Sequence, residues 1–157
     1  MKHQNERAVA LILATLFLAG SASDVQSQQS NSTAKNNFEL TVHVTEIKHQ
    51  DGKVLIGVYN KSDGFPKELE KALLTAKTAP GKPTHTFRGL SHGNYAVVVI
   101  HDRNNNGKLD RNLLGMPKEP VGLSNYSVIG ISNPPTFKTA SFTLSSIESI
   151  NIKLNQF

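Results

Sequence analysis

The chain has 157 residues, no cysteine, no tryptophan and a formal charge of +5, from 17 Lys/Arg against 12 Asp/Glu. Lacking cysteine, it has no disulfide framework, no lipid-attachment thiol and no thiol chemistry. Its basic residues are spread out rather than clustered among aromatics. That excludes the footprint of a nucleic-acid binder and leaves either a solvated basic face or an attraction to anionic envelope polymers and lipid heads.

The first element in chain order is a targeting segment. Lys2 and Arg7 precede an uncharged apolar run over residues 8–19. As a helix that run spans roughly 18 Å, too short for a bilayer core of about 30 Å. Small residues follow, and Ser21-Ala22-Ser23 or Val25-Gln26-Ser27 offers a cleavage site. The pattern predicts a signal peptide over 1–27, a flexible polar N-terminus over 28–37, and a periplasmic or secreted protein. Processing removes Lys2, Arg7, Glu6 and Asp24, so the charge balance stays at +5. No second long apolar run follows, so no integral membrane segment is expected after processing. The remainder, 38–157, suffices for one domain with a proper core.

Strand patterns dominate that domain. Phe38, Leu40, Val42 and Val44 alternate with polar residues, as in a strand with one wet face. Asp51-Gly52 carries a hairpin-turn signature. Residues 54–59 and 95–100 are apolar on both faces and read as central strands, and a shorter strand surrounds Phe87. Between them, Pro66 suits a first helical position with Asp63 upstream as a cap candidate, and Phe65, Leu69, Ala72, Leu73 and Ala76 recur at helical spacing, which predicts one short helix. The glycine- and proline-rich stretch 113–135 reads as a long loop. Ala140, Phe142 and Leu144, then Ile150, Ile152 and Leu154, alternate as two closing strands, separated by Ser145-Ser146. The expected fold is all-β: a single Greek-key β-sandwich with one short helix.

Chemistry concentrates at the end of the strongest strand. Asp102, Asn104 and Asn106 alternate, Gly107 follows, and Asp110 stands three residues on. Short oxygen-bearing side chains at every second position, closed by a glycine, form the opening half of a calcium loop. In that reading Lys108 contributes its carbonyl and Ca²⁺ is the cofactor. The twelfth position of the register is Leu113 rather than Glu, so a further ligand has to come from the following loop, where Glu119 is the nearest carboxylate. The alternative is an Asx-turn hairpin in which Asn and Asp cap their own backbone. His101, Glu119, Ser124 and Asn125 are candidates for contacting a ligand or a cell-envelope partner, with 122–126 folding back to line the same end of the sandwich or serving only as a connector.

Other chemistries find less support. His85, His92 and His101 lack the compact spacing of a zinc site. No serine sits in a nucleophile elbow, and His101 beside Asp102 points to the opposite strand face. These residues favour a non-catalytic binding or structural module. A carbohydrate-active hydrolase using Asp102 and Glu119 is the rival, and a periplasmic small-ligand carrier with an apolar cavity between the sheets is a third reading.

The ordered set Asp63-Gly64-Phe65-Pro66, Phe87-Arg88-Gly89-Leu90, Gly93-Asn94-Tyr95-Ala96-Val97, His101-Asp102 with Asn104-Asn106-Gly107-Lys108-Leu109-Asp110, and Gly115-Met116-Pro117-Lys118-Glu119 resembles the bacterial "domain of unknown function 2141" family. The resemblance runs from about Phe38 to Leu154, although Leu123 stands where the family usually has Phe. It is similar in outline to prealbumin-like and collagen-adhesin B-type modules, which implies a sandwich with Gly93 in a tight turn and Tyr95 entering the core. Relatives of that shape sometimes hold calcium in an Asp/Asn-Gly loop. The resemblance implies no activity.

Overall fold

The computed structural model describes residues 37–130 and 134–157. The expected signal peptide and nearly all of the polar N-terminal tract lie outside them. Among these residues eight strands form: β1 (Phe38–Thr45), β2 (Lys53–Tyr59), β3 (Leu74–Thr78), β4 (Thr84–Leu90), β5 (Gly93–Asp102), β6 (Val121–Leu123), β7 (Phe142–Leu144) and β8 (Glu148–Lys153). One helical turn, α1 (Phe137–Ala140), precedes β7. The three-stranded sheet runs β4-β1-β8, and the five-stranded sheet runs β3-β2-β5-β6 with β7 also on β5. β1 to β2, β3 to β4 and β4 to β5 each cross from one sheet to the other, so the fold is a two-sheet β-sandwich.

Alternation explains the inner layer. Leu40, Val42 and Val44 of β1 face Val54, Ile56 and Val58 of β2 and Tyr95, Val97 and Val99 of β5, all buried in one cluster. Opposite them, β1 presents a polar face where Thr41 meets Thr86 at 2.9 Å and His43 Nδ1 meets the Thr84 hydroxyl at 3.1 Å. Such cross-strand pairs stabilise a sheet without burying apolar surface.

β2 and β5 are apolar on their second face as well. Leu55, Tyr59, Ala96, Val98 and Ile100 form a separate cluster with Val121, Leu123 and Tyr126. Phe65, Leu69, Ala72, Leu109, Ile129 and Phe137 close over it. The Tyr59 hydroxyl donates to the Glu68 carbonyl at 2.9 Å, and its ring meets Phe65 edge-on. Continuous apolar runs thus mark strands covered on both sides.

The helix expected after Pro66 is absent from that place. A single 3-10 turn (Leu69–Lys71) gives way to β3. β3 pairs antiparallel with β2, from Val54 opposite Thr78 to Val58 opposite Leu74. An open β2 edge leaves a row of backbone groups unpaired, and pairing them outweighs a weak helical pattern. The expected hairpin at Asp51-Gly52 turns the chain between sheets rather than between paired strands. Gly89, at φ +76°, takes the left-handed conformation expected of Gly93, which begins β5 instead. Tyr95 enters the core as expected and donates to the Ser91 carbonyl at 3.0 Å.

Candidate functional site

β5 ends in two buried polar residues on opposite faces. His101 is fully buried on the inner side, and its Nε2 lies 2.8 Å from the Asp51 carbonyl. A carbonyl only accepts, so Nε2 carries the proton; the buried Nδ1 has no partner. His101 therefore locks the 51–52 turn and is too deep to contact a ligand, which corrects the expectation from sequence. Gly52 is indispensable beside it. Its φ is +74°, and a β-carbon there would lie 2.1 Å from the Asp102 carbonyl oxygen. Arg103 Nε also pairs with Asp51 at 3.0 Å. Partial desolvation works to raise the Asp51 carboxyl, but its backbone hydrogen bond and the Arg103 guanidinium outweigh it and hold the group below its ordinary range.

Asp102 is 1% exposed and points to the outer side. Its two oxygens accept the N–H groups of Asn106 at 3.1 Å and Gly107 at 2.8 Å. Asn104 Oδ1 also takes the Asn106 N–H at 3.0 Å, and Asn106 Oδ1 takes that of Lys108 at 3.0 Å. Asn105 and Gly107 supply the positive φ angles that so tight a turn needs, +61° and +81°. Glu119, only 5% exposed, closes the loop from its far end. Its carboxylate accepts from Arg103 N–H and Asp110 N–H, both at 3.1 Å. The side-chain amides of Asn104 and Asn106 converge on Asp110, at 2.7 and 3.0 Å.

Asp102, Asn104, Asn106, Asp110 and Glu119 therefore share one loop, with Lys108 exposed at its rim. Every donor is a hard oxygen, which suits calcium and does not suit zinc or copper. A carboxylate offers about four lone-pair directions and an amide oxygen two, so the hydrogen bonds described leave acceptor capacity on each. As the side chains stand, no group of three or more His, Asp or Glu among the described residues is arranged to hold a metal ion. Both Asn side chains turn an NH₂ group toward Asp110 rather than an oxygen.

The other candidates lie elsewhere. Ser124 sits beside Val97, midway along β5; its hydroxyl accepts from Val97 N–H at 2.9 Å and donates to the Ala140 carbonyl at 2.7 Å. Asn125, at φ +59°, donates to the Ser141 carbonyl at 2.7 Å. Together they clamp α1 onto β5. His92 precedes β5 and His101 nearly ends it, while His85 stacks edge-on against Phe87 in β4, so the three do not meet. The space between the sheets is filled by the core. An apolar cleft of about 480 Å³ lies on the outer side, lined by Phe65, Leu109, Met116, Val121, Leu123 and Phe157 among others.

Glu119 was visible in the sequence as a nearby carboxylate and candidate contact, not as the group that closes the loop, and Asp51-Gly52 was visible as a turn, not as the partner of His101 and Arg103. Among the described residues no helix is long and apolar enough to cross a membrane. The family model described as "Uncharacterized protein conserved in bacteria (DUF2141)" matches residues 42–152. No curated protein and no solved structure matches the chain.

Proposed function

This chain belongs to the DUF2141 family of bacterial proteins, and we propose that it is an exported, non-catalytic β-sandwich module. Its 102–119 loop binds calcium and presents one end of the sandwich to a ligand or partner of the cell envelope. The observation that supports this most is the gathering of three carboxylates and two amide oxygens in one loop. Rotation of the Asn104 and Asn106 side chains exchanges NH₂ groups for oxygens facing Asp110, and a cation then balances the converging charge. Asp102 and Glu119 each hold two backbone N–H groups and are buried, an arrangement that weighs against either one meeting a glycosidic bond. The leader pattern of residues 1–27 supports export, and N-terminal sequencing of the exported protein should begin between Asp24 and Gln28. A start at Met1 defeats the export reading.

Calcium titration during thermal unfolding tests the loop. With so few carboxylates the affinity should match extracellular modules, on the order of 10⁻⁴ to 10⁻³ M. At about 10 mM calcium, binding to the folded state alone then stabilises by roughly 1.4–2.7 kcal/mol, several degrees in melting temperature. Magnesium does less, because it demands tighter octahedral geometry and keeps its waters. Asp110→Ala, whose carboxylate takes side-chain amides, should keep the fold and lose the calcium response. No shift with calcium leaves the loop as a self-capped turn.

A further inference from the structure

The hairpin that leaves the Asp/Asn loop, residues 111–117, raises two leucines fully into solvent. Leu113 is 105% exposed and Leu114 88%, the two most exposed large apolar side chains among the described residues. The hairpin under them is well ordered by its own bonds. Arg111 bridges to Pro117, and Asn112 N–H donates to the Met116 carbonyl at 2.9 Å. Asn112 Oδ1 accepts from Leu114 N–H at 2.9 Å and Met116 N–H at 3.0 Å, and Gly115 N–H donates to the Asn112 carbonyl at 2.9 Å. Arg111 Nη1 adds a bond to the Gly115 carbonyl at 2.9 Å. A single exposed leucine needs no explanation, but two adjacent ones held outward by a closed hydrogen-bonded tip are a built feature.

We infer that this tip docks on an anionic lipid surface, with Leu113 and Leu114 entering the boundary between headgroups and acyl chains. Three observations favour a bilayer over another protein. The tip offers only two adjacent exposed leucines, and a protein partner needs an interface of about 1,000 Å² or more with complementary shape, whereas a bilayer accepts a pair of protruding apolar side chains. Its backbone donors at Asn112, Leu114, Gly115 and Met116 are already satisfied, which lowers the cost of leaving water. From Arg111 to Lys118 the sequence carries two basic residues and no acidic one, and Lys108 adds a third charge at the rim of the preceding loop. This inference does not depend on calcium, since the hairpin's bonds are its own.

The chain has no tryptophan, so Leu114→Trp places a single reporter at the tip, with Leu113→Trp as a second variant should the first fold poorly. Ile147→Trp, at an exposed position between β7 and β8, controls for the reporter and for the apolar leader that all the variants carry. The full chain is mixed, in chelator, with vesicles of phosphatidylcholine plus phosphatidylglycerol, or of phosphatidylcholine alone. The expected result is a blue shift of the tip reporter on the anionic vesicles and none for Ile147→Trp. Each of Arg111→Ser and Lys118→Ser should weaken binding roughly fivefold, and Leu113→Ser by about tenfold or more. The inference is overturned if the tip reporter stays red on anionic vesicles, or if it shifts no more than the control. It is equally overturned if the shift appears on adding excess wild-type chain without lipid, which would make the tip a contact between copies. Because calcium is withheld, failure here leaves the calcium reading untouched.

Discussion

Ile100 and Asp102 stand two residues apart on the same face of β5, and each is 1% exposed. Ile100 is held by apolar contact with the outer cluster, as one of many side chains sharing the burial. Asp102 is held by two backbone N–H groups of its own loop, which it in turn shapes. The first kind of order is non-directional and tolerates small changes in shape. The second hangs on a few directed bonds to charge, so one atom exchanged disturbs it. A rigid sandwich thus carries a loop whose conformation answers to polar chemistry.

The sharpest test of the first half is Val97→Asp. Val97 is fully buried in the inner cluster, facing β1 and β8. An unpaired carboxylate there should cost about 4 kcal/mol or more, seen as loss of a cooperative urea transition or of soluble protein. Melting within a few degrees of wild type would falsify the central placement of β5.

Gly52→Ala strikes the joint between the two regions. Its left-handed φ and the 2.1 Å approach to the Asp102 carbonyl predict destabilisation of about 3 kcal/mol by denaturant titration. If alanine were tolerated, the turn and the loop would be independent of one another.

Asp102→Asn keeps the shape but sets an NH₂ group against one of the two N–H donors, those of Asn106 and Gly107, that the carboxylate oxygens accept separately. It should cost about 2 kcal/mol, and hydrogen exchange should accelerate at Asn106 and Gly107 while the β2 and β5 amides stay protected. Glu119→Gln should do the same, more weakly, at Arg103 and Asp110. Uniform loss of protection across both regions would mean that the loop is not a separate unit.

The smallest effect is alkaline. Burial, helped by Glu70 and Glu68, pushes the Tyr59 phenol up to about 12 from 10.0. A raised folded value means its contribution is complete below the unfolded value and is lost as pH rises from about 10 to 12. At pH 11 the domain should be less stable by about 1.4 kcal/mol, and Tyr59→Phe should flatten that decline. A decline of equal depth in Tyr59→Phe would place the sensitive group elsewhere.

Local pattern by itself determined six of the eight strands among the described residues, because a period of two and a double-sided apolar run are written into neighbouring residues, whereas β6 lies within the stretch that read as a long loop. It determined that residues 102–110 turn sharply, because Asn, Asp and Gly act on their own backbone. It could not decide that residues 74–78 join a sheet edge, since the free edge of β2 that captures them lies in another part of the chain. Nor could it decide the partners of the buried polar groups. Glu119 reaches Arg103 across 16 positions, and His101 reaches Asp51 across 50. Strand pairing and buried hydrogen bonds join residues far apart in sequence, and only the folded backbone sets their distance.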